Sequence, residues 1–210
     1  MLGSFSPEFR DDLAELMRWR RDVRRFRTDP VDAAVLNRCF SAFASAPSVG
    51  LSEPWRIIRV ESASARAASI ANFETANAAA LAGYTDEKAA LYAQLKLSGM
   101  REAPVHLAVF CDDATCKGSG LGAQYMPQTR AYSVVGAIAM FWLAARAEGL
   151  GLGWVSILDA QKMAKDLNAP ADWTLIGYLC VGWPTENHAT PELERAGWER
   201  RAPNLHIETR

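Results

Sequence analysis

The sequence has no excess of charge of either sign. Its 23 lysine and arginine side chains nearly balance its 24 aspartate and glutamate side chains, so the formal net charge is -1. A balanced chain creates no overall field that would attract nucleic acid or an anionic membrane surface. We therefore expect no nucleic-acid or membrane partner, and any recognition of an anion has to come from a local cluster of basic groups.

Histidine and cysteine are also scarce. The chain has 3 histidines and 4 cysteines, and no histidine lies beside the nearest cysteine pair, Cys111 and Cys116. A structural zinc site needs such ligands grouped at short spacings, so we expect no metal. Three of the cysteines lie inside apolar runs, where they serve as small buried side chains, and this usage is typical of a reducing compartment.

Long apolar runs are absent as well. The longest stretch without charge covers residues 131–145, and at about 15 residues it is too short to cross a bilayer comfortably. The charged residues between positions 8 and 12 leave no apolar targeting segment. These features favour a cytoplasmic protein, and they predict that residues 131–148 form a helix buried on every side, often against a second subunit.

The pattern of apolar residues and breakers predicts one α+β domain over residues 1–210. Ser6 and Asp32 are placed to cap the first two helices. The elements that follow are predicted at 56–60 (strand), 64–82 and 86–97 (helices), 105–111 (strand), 131–148 (helix), 154–158 (strand), 160–168 (helix) and 175–181 (strand). The helical pair between the first two strands is a candidate lid, residues 84–100, and residues 189–210 read as a polar C-terminal extension.

A basic cluster follows the first helix. Arg20, Arg21 and Arg24 surround Asp22 within five residues. The cluster has two interpretations: a solvated helix end whose arginines favour the negative end of the helix dipole, or an anion site in which guanidinium groups bind phosphate oxygens. The carboxylate of Asp22 within the cluster favours the second interpretation.

Two glycine-rich stretches need separate interpretations. Residues 118–122 match neither the Walker sequence nor the dinucleotide fingerprint, so we interpret them as a flexible connection. Residues 149–153 connect a helix to a strand, whereas phosphate binding requires a strand followed by a helix, so we reject a nucleotide loop there. The breakers and small residues at 46–50 predict a loop that is either an ordinary turn or a place where a ligand approaches the main chain.

Two polar residues fall inside predicted strands. His106 is more typical of a buried core histidine than of a catalytic base. Ser156 has no histidine nearby in the sequence that would activate it as a nucleophile.

Taken together, four motifs resemble the flavin nitroreductase superfamily, and the resemblance covers nearly the whole chain. They are Arg20-x-Asp22-x-Arg24, the loop at 46–50 with Pro54-Trp55, the run Gly151-x-Gly153-Trp154-Val155-Ser156-Ile157, and the basic pair Arg200-Arg201. The resemblance implies a small mixed central sheet covered by helices, and an intertwined homodimer with two FMN sites at its interface.

Within the superfamily, Asp22 and the Gly-Trp-Val-Ser-Ile run resemble the members that fragment flavin. This implies that reduced FMN is the substrate, that dioxygen is the co-substrate, and that a separate flavin reductase supplies the flavin. The catalytic residues implied are Asp22, as a base kept ionised by its arginines, and Ser156. The flavin-binding residues implied are Arg20, Arg21, Asp22, Val23, Arg24, Ser48, Leu97, Ser156 and Arg201.

One residue departs from the family pattern, because Glu53 stands before Pro54-Trp55 where that pattern has glutamine. A carboxylate there would repel a reduced, anionic flavin ring. Two alternatives stay open on the same fold: an NAD(P)H-dependent FMN nitroreductase, and a flavin-binding protein without catalytic activity.

Overall fold

The computed structural model describes residues 3–210. Its elements follow the predicted order, with a short helix added near the C-terminus. They are α1 (Pro7–Trp19), α2 (Ala33–Ala44), β1 (Trp55–Arg59), α3 (Ala63–Ala82), α4 (Asp86–Gln94), β2 (Val105–Asp112), α5 (Thr129–Ala147), β3 (Gly151–Val155), α6 (Ala160–Asp166), β4 (Trp173–Gly182) and α7 (Glu192–Arg195), with a 3₁₀ turn at Val49–Leu51. The α+β fold class predicted from the sequence is confirmed.

The four strands lie in the order β1-β2-β4-β3, and each neighbouring pair is antiparallel. The sheet is therefore antiparallel and not mixed as predicted, and a parallel pairing occurs in an isolated bridge between Asp22 and Leu152 of β3. Side chains alternate across β2, so that Leu107 and Val109 face α2 and α5 while Ala108 and Phe110 face α3 and α6. Helices therefore cover both faces of the sheet.

Side-chain caps begin the helices where the sequence predicted them. Ser6 Oγ accepts a hydrogen bond from the Phe9 amide, and Asp32 Oδ1 accepts one from the Ala34 amide. Two predicted boundaries are wrong. The strand β3 ends at Val155, so Ser156 lies beyond it and is exposed. Helix α4 ends at Gln94 because Leu95 is extended, so Leu97 lies in the following connection.

Two further predictions need correction. Helix α5 is not buried on every side of this chain, because Tyr132 and Val135 are 60% and 43% exposed while Ile138 and Phe141 are fully buried. The loop at 118–122 is not a loose connection, because its main chain packs tightly against the loop at Gly50. Over residues 3–210, none of the helices has the length and apolar character needed to cross a membrane.

The interpretation of His106 as a core residue is confirmed. The ring is 1% exposed, and its Nε2 donates to the Ala103 carbonyl at 3.1 Å while its Nδ1 accepts from the Tyr178 hydroxyl at 2.8 Å. Burial, followed by the nearby charge of Arg66, lowers the pKa of His106 from 6.5 to about 4. The histidine is therefore neutral in the folded chain at neutral pH.

This histidine predicts a loss of stability in mild acid. Because the pKa of His106 is lower in the folded chain than in the unfolded chain, the unfolded chain binds the proton first as the pH falls. We expect the free energy of unfolding to decrease between about pH 6.5 and pH 4, by up to roughly 1.4 kcal/mol per pH unit. Urea titrations at pH 7 and pH 5, at one protein concentration, measure the change.

The matched control is His106→Gln, which removes the titrating group. Its unfolding free energy, although lower at every pH, should change less between pH 7 and pH 5. Equal changes in the parent chain and the variant would show that other groups cause the acid sensitivity.

Candidate active site

The segment Arg20–Arg24 lies directly against strand β3. The Val23 amide donates to the Leu152 carbonyl at 2.9 Å. A Cβ atom at Gly151 would lie 2.8 Å from the Val23 side chain, and one at Gly153 would overlap the Val23 carbonyl oxygen. These glycines therefore serve close packing of the main chains. The order of helix α5, glycines and strand confirms that they are not a nucleotide loop.

This packing fixes the carboxylate of Asp22. Oδ1 accepts a hydrogen bond from the Trp154 amide at 2.9 Å, and Oδ2 accepts one from Arg24 Nε at 2.8 Å. The side chain remains 32% exposed. Burial of the rest raises the pKa of the Asp22 carboxyl above its ordinary value of 3.8, although Arg24 and the Trp154 amide act in the opposite direction. The arginines thus control the ionisation of Asp22 less than the sequence suggested.

Arg24 serves as a structural partner of Asp22. Its side chain is 12% exposed. Besides its bond to Asp22, it donates from Nη1 to the Lys96 carbonyl at 3.1 Å, which places Leu97 beside it. Next along the chain, Gly99 packs so closely against the Phe26 ring that a Cβ atom would overlap it. Arg24 therefore ties the Asp22 carboxylate to the connection that follows α4.

Arg20, Arg21 and Arg201 bring positive charge together near Asp22. The Arg20 guanidinium carbon lies 4.5 Å from the centre of the Trp142 ring, and Arg21 Nε donates to the Ala189 carbonyl at 2.6 Å. Burial first, and the charge of Arg201 second, lower the pKa values of both Arg20 and Arg21. Arg201 itself is exposed, but the half-buried Arg20 and Arg21 do not fit a solvated helix end, and they favour the interpretation as an anion site.

Behind the cluster, residues 186–195 close one side of the site. Arg25 Nη1 bonds to Glu186 at 3.2 Å and to Glu192 at 2.5 Å, and Arg146 bonds to Asn187. The cavity left between this segment and Asp22 has a volume of about 40 Å³. That is room for water, whereas ligand sites occupy roughly 300 Å³ or more. This cavity alone is therefore too small to hold a flavin.

The hydrogen bonds of the Ser48 loop are made elsewhere in the chain, whereas Ser156 lies two residues beyond Trp154, whose amide binds Asp22. The Ser48 hydroxyl accepts from the Glu53 amide at 3.1 Å, and the adjacent Val49 amide donates to the Ser133 hydroxyl near the start of α5. Arg20 instead packs on Trp142, about 13 Å further along the axis of that helix by its 1.5 Å rise per residue. Ser156 is exposed just beyond β3. The Ser48 loop and Arg20 thus contact α5 about half of its length apart.

Sequence reasoning missed three contributors to the site. The ring of Trp142 supports Arg20, the amide of Trp154 holds Asp22, and the carbonyl of Lys96 holds Arg24. Trp142, inside the uncharged stretch of α5, was the one contributor that the sequence could have indicated. The Trp154 amide and the Lys96 carbonyl belong to the main chain, and no sequence pattern marks them. Among residues 3–210, no cluster of histidine, cysteine, aspartate and glutamate side chains could hold a metal ion.

Comparison with known proteins shows extensive similarity. A protein from Rhodospirillum rubrum named 5,6-dimethylbenzimidazole synthase is 54% identical over 200 residues, which cover 95% of each chain. A protein of the same name from Rhodobacter capsulatus is 50% identical over 200 residues, covering 95% of this chain and 97% of that protein.

Solved structures share the fold at lower identity. A BluB-like flavoprotein from Clostridium difficile is 18% identical, with a TM-score of 0.66 over 86% of this chain and 93% of that chain. An iodotyrosine deiodinase bound to FMN and 3-iodo-L-tyrosine is 21% identical, with a TM-score of 0.72 over 94% of this chain and 97% of that chain. The profile of the Nitroreductase family matches residues 17–183. The chain belongs to the nitroreductase family.

Proposed function

We propose that the protein is a 5,6-dimethylbenzimidazole synthase, which uses dioxygen to fragment reduced FMN into the lower ligand of vitamin B12. The observation that carries the proposal is the carboxylate of Asp22, held by Arg24 and the Trp154 amide and still partly exposed beside a cluster of arginines. Relatives of that name with 54% and 50% identity support it.

The donors at the site fit FMN. Arg20, Arg21 and Arg201 concentrate positive charge near Asp22, and guanidinium groups match phosphate oxygens in shape and charge. Leu97, which follows the Lys96 bound by Arg24, would supply an apolar contact from the candidate lid at 84–100. Reduced FMN would therefore be bound by its phosphate and ring oxygens, with its ring near Asp22.

A second copy of the chain would complete the site. Apolar side chains are exposed on α1 and α5, among them Phe9 (46%), Met17 (49%) and Tyr132 (60%). Such a surface suits a symmetric dimer, in which each chain covers the same face of the other. Because the Ser48 loop and Arg20 contact α5 about 13 Å apart, a partner whose α5 runs in the opposite direction would bring its Ser48 loop toward Asp22.

The residues have separate roles in the proposed reaction. Reduced FMN reacts with dioxygen without protein groups, so the flavin supplies the redox chemistry. Asp22 would remove a proton from carbon or nitrogen, since a raised pKa makes a carboxylate a stronger base. Ser156, exposed at the end of β3, would donate a hydrogen bond to oxygen. A separate flavin reductase would supply reduced FMN.

Product analysis tests this function directly. The protein is mixed anaerobically with chemically reduced FMN, exposed to dioxygen, and the small molecules are identified by mass. We expect 5,6-dimethylbenzimidazole to form at a rate that increases with protein concentration, because the protein catalyses the fragmentation. The FMN should be lost as the product forms, because it is the substrate.

Two other outcomes would contradict the proposal. Steady oxidation of NAD(P)H by a permanently bound flavin would identify a nitroreductase instead. Recovery of intact oxidised FMN, with no NAD(P)H oxidation, would identify a flavin-binding protein without catalytic activity.

Replacing Asp22 by asparagine tests its role as the base. Asparagine keeps the size of the side chain and can accept from the Trp154 amide, but it cannot take a proton. We expect Asp22→Asn to bind reduced FMN and to form product at least about a hundredfold more slowly. In the parent protein, product formation should fall with decreasing pH as the raised pKa of Asp22 is crossed, and this decrease should be absent from the residual activity of the variant.

The matched control is Asp29→Asn, which removes a carboxylate from an exposed pair with Arg27 in the same part of the chain. It should retain activity. Product formation by Asp22→Asn within a few fold of the parent would rule out Asp22 as the base.

A further inference from the structure

The glycine-rich loop at residues 117–122 packs against the loop that carries Ser48. Gly118 has a φ of +81°, and a Cβ atom there would overlap the Gly50 carbonyl oxygen and lie 3.3 Å from the Ser52 amide nitrogen. In the other direction, a Cβ atom at Gly50 would lie 2.9 Å from the Leu121 carbonyl oxygen. The two main chains approach so closely that neither position accepts a side chain.

The Ser48 loop needs this support because its backbone is strained. Leu51 and Glu53 have φ values of +55° and +42°, which residues other than glycine rarely adopt. From within, the Ser48 hydroxyl holds the Glu53 amide and the Ser133 hydroxyl holds the Val49 amide. On its outer side, the same turn packs against the main chain of the loop at 117–122.

A charge pair joins the two loops at the surface. Lys117 Nζ forms an ion pair with the carboxylate of Glu53. The side chains are 55% and 40% exposed, so the pair contributes little to stability. Its effect would be local, because Lys117 neutralises the one acidic residue that replaces the glutamine of the family pattern.

We infer that the loop from Lys117 to Gly122 is a positioning element for the flavin site. It fixes the main chain from Ser48 to Glu53 in the conformation that meets the flavin, and Lys117 cancels the charge of Glu53 near the reduced ring. The inference rests on the proposed function, since it takes from that proposal the contact between the Ser48 loop and the flavin.

Two glycines of this loop provide a matched test. Gly118 and Gly120 have similar φ values, +81° and +73°, so alanine strains the backbone in both. A Cβ atom at Gly120 meets only Gln124 Cβ at 4.0 Å, whereas one at Gly118 overlaps the neighbouring loop. We expect Gly118→Ala to weaken FMN binding at least about tenfold more than Gly120→Ala does. The change in flavin fluorescence on binding measures both affinities. The visible spectrum of the bound flavin should shift only in Gly118→Ala.

A surface substitution tests the charge pair without disturbing packing. Lys117→Met leaves the Glu53 carboxylate unpaired, and we expect it to weaken binding of reduced FMN by about five- to tenfold while oxidised FMN changes by less than about twofold. Adding Glu53→Gln to Lys117→Met should restore binding of reduced FMN. A merely structural role for Lys117 would give neither the difference between redox states nor the rescue.

The outcomes separate the two proposals. Equal affinities of the glycine variants, together with unchanged binding in Lys117→Met, would overturn the inference whether or not product is formed. FMN binding with the expected differences, but without product, would contradict the synthase reaction and support the positioning role. A parent protein that binds no FMN would overturn both.

Discussion

The close contact between the Arg20–Arg24 segment and strand β3 is the constraint on which the site depends. It requires glycine at 151 and 153, because side chains there would displace Val23. The contact sets the Asp22 carboxylate on the Trp154 amide and so holds a half-buried acid in one orientation. A carboxylate with restricted motion, a raised pKa and an open side has the properties required of a general base.

The same contact determines which arginines remain free of Asp22 and where the other parts of the candidate site lie. Arg24 is engaged by Asp22 and Lys96, so under the proposed function phosphate binding would fall to Arg20, Arg21 and Arg201, while residues 186–195 close one side of the site. The Ser48 loop, held by Ser133, contacts α5 nearer its start, about 13 Å along the helix axis from Trp142. Under the proposed function, these would be two parts of a flavin site, and exposed apolar side chains on α1 and α5 offer the surface on which a second chain would join them.

The local elements could be read from the sequence because they depend on neighbours along the chain. The caps at Ser6 and Asp32 and the alternating pattern of β2 are of this kind. The charge cluster around Asp22 was visible in the sequence too. The separate role of Arg24 was not, because it depends on a bond to the main-chain carbonyl of Lys96, which no sequence pattern reveals. Residues 118–122 looked flexible since glycine allows flexibility, whereas here it allows close packing. Ser156 was predicted to lie inside a strand because apolar residues continue past Val155, where β3 ends.

A mixed dimer tests most directly whether Asp22 and the Ser48 loop from different chains form one site. Asp22→Asn and Gly118→Ala chains with different affinity tags are co-expressed, the mixed dimer is isolated, and product formation is measured at an FMN concentration that does not saturate Gly118→Ala. If the site is shared, one of the two sites carries both substitutions and the other carries neither, so the mixed dimer should form product at about half the parent rate. If each site lies within one chain, both sites carry one substitution. Activity no higher than the mean of the two variant homodimers, or failure to obtain any mixed dimer, would contradict the account.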